Sequence, residues 1–289
     1  MLYLRHACEH PSTRQRFVQE ELRSAALHLL FLHCDGGTKD EQLEHIPPGI
    51  APRMDLVLVA RGRAAVRTPG GAVELREGEG WLSPRLYAAP ARSLTAGTSL
   101  LHLVWRPGGP AGDGLPTGGL VRVPPSAWST LRPGPLGDRE GAVRFGERLA
   151  AQLRSQGIPL APDAFEAAGA SIEPADATFA QALQQVLFPL RARPMAVDLA
   201  RVLGCSERHA LRHASRYFGR YHLSVCTWRE YVRGMRLGLG VFFMSHKRSR
   251  TDQASALLGF ASPVAFCHAL KEAGLPSPGA VRDTLQLML

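Results

Sequence analysis

Three arginines, Arg208, Arg212 and Arg216, recur at every fourth residue of the segment 207–218. On a helix that spacing puts them on one face. Guanidinium groups in such a row can hold phosphates and reach the paired acceptors of guanine edges. Ser206 stands where a helix cap belongs, directly after Gly204-Cys205, and His209 lies beside the row. A second segment repeats the layout with different side chains. There Gly259-Phe-Ala-Ser262 reads as a turn, and Pro263 opens a helix carrying Val264, Ala265, His268 and Lys271. Val264 and Ala265 offer no bidentate hydrogen bonds, so their chemistry is apolar contact with a thymine methyl, whereas Lys271 suits a phosphate.

Other sets of reactive atoms are less usefully arranged. His6, Cys8 and His10, and the neighbours His33 and Cys34, carry donors that zinc accepts, but a flexible N-terminal tail and a strand end supply no four-ligand geometry. His45 stands alone before Pro47. No metal, cofactor or catalytic residue is expected. The five cysteines (8, 34, 205, 226 and 267) are scattered, odd in number and without a CxxC pair, so reduced thiols and a cytoplasmic location are expected. Neither Cys8 nor Cys34 has neighbours that would mark it as the reactive thiol of an alkyl-transfer repair protein. The longest apolar run, residues 27–33, is far short of the roughly 20 residues that cross a bilayer. The N-terminal stretch also lacks the basic-then-apolar order of an export signal.

The elements that must position the arginines emerge from composition and spacing. Of 289 residues, 45% are hydrophobic and 20% charged, with 29 Gly and 22 Pro, which points to a real core with long loops and short strands. The net charge of +9 is unevenly placed: residues 1–177 hold 19 Lys and Arg against 19 Asp and Glu, and residues 178–289 hold 15 against 6. A neutral two-thirds joined to a basic third suggests two modules, the basic one suited to a polyanion. In the first module, residues 26–34, 54–66, 72–82 and 99–105 read as short strands of a small barrel or sandwich, with Leu58, Ala60, Trp81, Leu103 and Trp105 inward. A turn-rich loop follows at 106–119, a helix fits Arg139–Ser155, and a polar connector runs over 159–177. In the second module, 195–203 and 207–218 form one helix pair, and 251–258 with the helix from Pro263 forms another. Between them Trp228–Met244 is one amphipathic helix, about 25 Å long at about 1.5 Å per residue. The expected division is 1–135, 136–177 and 178–289.

Leu75-Arg-Glu-Gly-Glu-Gly-Trp-Leu-Ser-Pro84 resembles the strand-turn-strand signature of the cupin barrel. The metal set of enzymatic cupins is missing, since Arg85, Leu86 and Tyr87 stand where the late histidine would be. The last third resembles the C-terminal DNA-binding domain of AraC-type (AraC/XylS) transcriptional regulators. Asp198-Leu-Ala-Arg-Val-Leu-Gly-Cys-Ser206 with Arg212, Trp228-Arg-Glu-Tyr-Val-Arg-Gly-Met-Arg-Leu237, and Leu258-Gly-Phe-Ala-Ser-Pro-Val-Ala-Phe266 with Gly274-Leu275 carry it, over roughly 100 residues.

The resemblance implies an α+β chain: an N-terminal cupin-like β-barrel for effector binding or dimerisation, then an all-α domain with two helix-turn-helix units joined by a linker helix. It implies a non-enzymatic regulator that binds double-stranded DNA through Ser206, Arg208, His209, Arg212, Arg216, Ser262, Val264, Ala265, His268 and Lys271. RNA polymerase, a small-molecule effector and a second copy of the chain, joined through the N-terminal domain, are the further partners, and no membrane is involved. Three departures set the units apart. Ala210 and Ala214 replace bulky core residues, leaving Leu211, Tyr217 or Phe218 to pack; His268 stands where an arginine is frequent; and no phenylalanine precedes Gly274. The first unit is thus expected to do most of the reading. Two other readings stay open: an interaction protein that docks on another regulator or polymerase, and a cupin-type dioxygenase or isomerase.

Overall fold

Alternating apolar residues make two-faced strands, and the chain packs both faces. The computed structural model describes residues 2–9, 14, 16–23, 27–35, 39–40, 54–68, 70–83, 91–93, 95, 97–105, 118–131, 134–158, 160, 165, 173–187, 194–220, 227–244 and 248–281. Residues 106–117, most of the connector at 159–172, and His10, His45, Arg85, Leu86, Tyr87 and Cys226 lie outside them.

Eleven strands form two antiparallel sheets among the described residues. The larger has the order β1 (Leu2–Glu9), β2 (Arg16–Arg23), β3 (Leu27–Cys34), β10 (Thr98–Trp105), β5 (Met54–Arg61), β8 (Glu79–Ser83), β11 (Gly119–Arg122). The smaller runs β4 (Lys39–Asp40), β9 (Ala91–Ser93), β6 (Arg63–Thr68), β7 (Gly71–Arg76). Two segments that read as single strands are each divided between the sheets. Residues 54–66 break at Gly62, whose φ of +82° belongs to glycine, and a Cβ there would lie 2.7 Å from Thr95 Oγ1. Residues 72–82 break at Glu77-Gly78, and the Glu79 carboxylate accepts the Arg76 N–H at 3.0 Å across that turn. This double-sheet arrangement is the one the cupin resemblance implied.

The N-terminus corrects a reading: His6 and Cys8 belong to edge strand β1, paired along its length with β2, and not to a flexible tail. One face of the large sheet (Leu29, Phe31, Leu56, Leu58, Leu101, Leu103, Trp105) packs under helices α1 (Pro125–Leu131) and α2 (Arg139–Ser155). Phe145, Leu149 and Leu153, one turn apart on α2, are buried there. Each contributes about 1.5–3 kcal/mol, enough to hold a helix of low intrinsic stability. The opposite face (Phe17, Leu32, Val57, Val59, Leu100) meets Ala64, Val66 and Leu75 of the small sheet.

The helical domain follows: α3 (Pro174–Leu187), α4 (Ala196–Leu203), α5 (Glu207–Arg220), α6 (Trp228–Met244), α7 (Thr251–Leu257) and α8 (Pro263–Glu272). Helix α3 begins inside the expected connector and runs through the expected boundary at 177/178. The domain has two cores. Helices α3, α4, α5 and the start of α6 enclose Phe179, Leu183, Leu199, Phe218 and Trp228. The rest of α6 with α7 and α8 buries Leu237, Val241, Phe243, Phe266 and Leu270 in one cluster with the β-domain residues Phe17, Leu32 and Val59.

Candidate nucleic-acid interface

The turn between α4 and α5 is built from local chemistry. The Met195 N–H donates to the Asp198 carboxylate at 3.0 Å, and Arg201 holds the same carboxylate at 3.1 Å, which fixes the start of α4. At its end Gly204 takes the left-handed conformation, φ +65°, and the Cys205 N–H reaches back to Ala200 O at 3.0 Å. Ser206 Oγ then accepts the His209 N–H at 3.3 Å and caps α5. The second pair uses the same devices. Gly259 has φ +68°, the Phe260 N–H reaches Ser255 O at 2.9 Å, and Ser262 Oγ accepts the Ala265 N–H at 3.1 Å. The difference is length: the capping serine stands two residues after the glycine in the first pair and three after it in the second.

On α5, Arg208, His209 and Arg212 are exposed, and Glu207, Arg208, Leu211, Arg212 and Ser215 line a shallow concavity. Behind them Ala210 and Ala214 are fully buried, as are Tyr217 and Phe218, while Leu211 is half-buried. The alanines are not gaps in the packing. They let the backbone of α5 sit close, and the aromatic pair two turns along supplies the volume. Arg216 is placed differently from its two predecessors. Its Nη2 lies 3.9 Å from Glu173 and 4.0 Å from Asp176, at the start of α3. Arg220 bonds the same two carboxylates at 2.8 and 2.6 Å, and His213 Nε2 lies 3.5 Å from Asp176. The hydrogen bonds that Arg220 donates to the Glu173 and Asp176 carboxylates raise its pKa above the ordinary value. Neither His213 nor Arg220 belongs to the set expected from sequence. Their partners lie more than thirty residues upstream, beyond any local pattern.

On α8 the exposed side is nearly uncharged. Val264 is 65% exposed, Ala265 half-buried, and His268 and Lys271 exposed, while Phe266 and Leu270 face the core. The arginines of α6 brace this pair. Arg236 Nε donates to Leu258 O at 2.6 Å with its guanidinium 4.1 Å above the Phe260 ring, and Arg233 pairs with Glu272 at 2.7 Å.

The β domain holds a different polar cluster, on the face turned to the helical domain. The Glu21 carboxylate accepts hydrogen bonds from Gln19 and Arg23, with His28 Nε2 at 3.4 Å. Burial, reinforced by Arg23, pushes the His28 pKa down to about 4. Across the domain contact, burial and then the Glu21 charge push the Tyr231 hydroxyl of α6 up to about 12. His102 and Asp55 form a second buried pair on that face. At the strand ends His33 joins Ser99 (2.8 Å) to Asp35 (3.1 Å), but the serine is buried and Asp35 is also bonded by Arg16, so the chain of bonds braces the sheet edge. Among the described residues no three His, Cys, Asp or Glu side chains gather as a metal would require. No helix among them is long and apolar enough to cross a membrane.

No family model and no curated protein matches the sequence. Solved structures of loosely similar shape include ToxT from Vibrio cholerae, at 9% identity and a TM-score of 0.39 over 91% of this chain and 99% of that one. A second is fatty acid-bound ToxT from the same organism, at 10% identity and 0.37 over 90% and 95%. A third is the protein Ylba from E. coli, at 14% identity and 0.31 over 37% of this chain and 44% of that one. Overlaps this loose place the chain in no family, and the site is read from its own residues.

Proposed function

We propose that the chain is a sequence-specific, non-enzymatic transcriptional regulator of the AraC type. In this reading α4–α5 and α7–α8 are helix-turn-helix units, and α5 and α8 enter successive major grooves on one side of the duplex, about 34 Å apart. Arg208, His209 and Arg212 contact bases, and Arg216 adds a phosphate contact from the edge of the row. The capped helix starts at Ser206 and Ser262 present backbone N–H groups to phosphates. On α8, Val264 and Ala265 meet thymine methyls, and His268 and Lys271 contact the strand backbone. RNA polymerase, a small-molecule effector held by the β domain and a second copy joined through that domain complete the partners, in the cytoplasm.

The observation that carries this reading is the repetition of one device. A left-handed glycine, a back-reaching N–H and a serine cap occur twice, joined by one 17-residue helix, with exposed arginines on the first of the two presented helices. The exposed arginines of α5 supply the phosphate- and guanine-binding groups that such a unit needs. Selection of duplexes from a random pool by the full chain, at near-physiological salt, tests it. The expected result is a motif of two half-sites about ten base pairs apart. Enrichment of nothing, with salt-sensitive binding to every duplex, would overturn it. The exposed side of α8, which carries no arginine, favours a second reading, in which that pair docks on a protein; a single recovered half-site would support that division of labour.

A further inference from the structure

We infer that Asp176 is a positioning residue that sets the rotation of the recognition helix α5 about its own axis, an inference that rests on the DNA-reading role proposed above. At about 100° per residue, each step of four along a helix advances about 40°. Arg208, Arg212, Arg216 and Arg220 therefore wind gradually around α5, from the open concavity toward α3. The last two meet carboxylates, and among the described residues the first two do not. A rotation of about 40° would turn Arg216 to the azimuth that Arg212 holds, about 6 Å farther along the axis, so the row itself does not define which guanidinium faces a base.

Asp176 supplies the definition. Its residue is fully buried on the first turn of α3, and three side chains of α5 converge on its carboxylate: Arg220 Nη1 at 2.6 Å, His213 Nε2 at 3.5 Å and Arg216 Nη2 at 4.0 Å. His213, Arg216 and Arg220 stand at i, i+3 and i+7, one edge of the helix. Glu173, more than half exposed, holds Arg220 at 2.8 Å and Arg216 at 3.9 Å from the solvent side. A carboxylate out of water is tolerated only with such partners, so the α3–α5 angle that keeps all three is strongly preferred. Rings reinforce it, with Phe179 of α3 4.6 Å from His213 and 4.9 Å from Tyr217.

The test compares Asp176→Asn with wild type in the full chain, on the duplex that wild type selects and on a scrambled one. Asp176→Asn removes the charge at constant size. The specific-to-scrambled affinity ratio is expected to fall at least tenfold, while scrambled binding stays within about twofold or tightens. The slope of log affinity against log salt on the scrambled duplex should steepen by about 1, because a freed arginine neutralises one more phosphate at about 0.9 per contact. Phe179→Leu, which loosens the same helix contact without touching a charge, should lower the melting temperature and leave the slope alone. If Asp176→Asn does not fold, Glu173→Gln reads out the same arginines from the exposed side, with a steeper slope expected at nearly unchanged stability. A wild-type ratio and slope in the folded variant, or an effect matched by Phe179→Leu, would overturn the inference. Absence of any selected motif for wild type would instead overturn the DNA-reading role beneath it.

Discussion

The two helix pairs share a turn and differ in everything around it. The first presents Arg208, His209 and Arg212 to solvent and closes its own core against α3. The second presents Val264 on α8 beside the exposed Lys271 and His268, and shares its core with the β domain. The comparison separates two jobs that a duplicated motif could have left equal. On the reading proposed above, a base reader needs exposed donors at a fixed angle, and the first pair presents Arg208 and Arg212 in that way. A pair whose hydrophobic interior runs on into another domain is suited to carry that domain's state, and the brace from Arg236 to Leu258 O fixes it to the linker helix.

The largest expected effects break the comparison at its cores. Phe266→Ala and Phe218→Ala each remove a fully buried ring and should each cost about 3–5 kcal/mol. Phe266→Ala should lower the unfolding midpoint of the β domain as well, followed by urea denaturation with residue-resolved hydrogen exchange, while Phe218→Ala should leave β-sheet protection in place. Equal effects on the sheet would erase the distinction. His28 comes next. Its folded pKa of about 4 lies below the unfolded 6.5, so below pH 6.5 the unfolded chain binds the extra proton. Its contribution is complete above pH 6.5 and is lost as pH falls toward 4. Over that window the stability difference between wild type and His28→Gln should change by about 3 kcal/mol, which melting curves across pH would show.

At the reading surface, Arg212→Ala should cost about 1–3 kcal/mol of affinity for the selected duplex and relax preference at one base, against a few tenths for His268→Ala, in equilibrium titrations. Unchanged binding for Arg212→Ala with loss for His268→Ala would reverse the assignment. Gly204→Ala and Gly259→Ala force a side chain into the left-handed region and should each cost about 1–2 kcal/mol in thermal unfolding. Smallest are the caps, where Ser206→Ala and Ser262→Ala should each cost about 1 kcal/mol, nearly equally, because the capping bonds are alike.

Helical elements were the most legible in the sequence, and for a local reason. α2 and α6 have the bounds that their apolar spacing suggests, with Gly157 as the stop of α2, because each helix carries its own stripe. Residues 54–66 and 72–82 each look like one strand in the sequence, because alternation continues across Gly62 and Gly78 while the chain changes sheets. β2 is hidden in the sequence because it buries Glu20 and Glu21, charges made tolerable by partners that include Tyr3, Arg5, Gln19, Arg23, His28 and the Leu136 N–H. The same holds at the site. Ser206, Arg208 and Arg212 follow from motif and spacing, whereas the hold of Asp176 on Arg220 is a tertiary fact between residues 44 apart in sequence.

Guanine methylation interference on the selected duplex tests the unequal-reader account most directly. Wild type should show strong interference at guanines of one half-site and weak interference at the other, and Arg212→Ala should abolish the strong signal at one guanine while His268→Ala leaves it intact. Equal interference at both half-sites, or a strong signal that survives Arg212→Ala and disappears with His268→Ala, would contradict it.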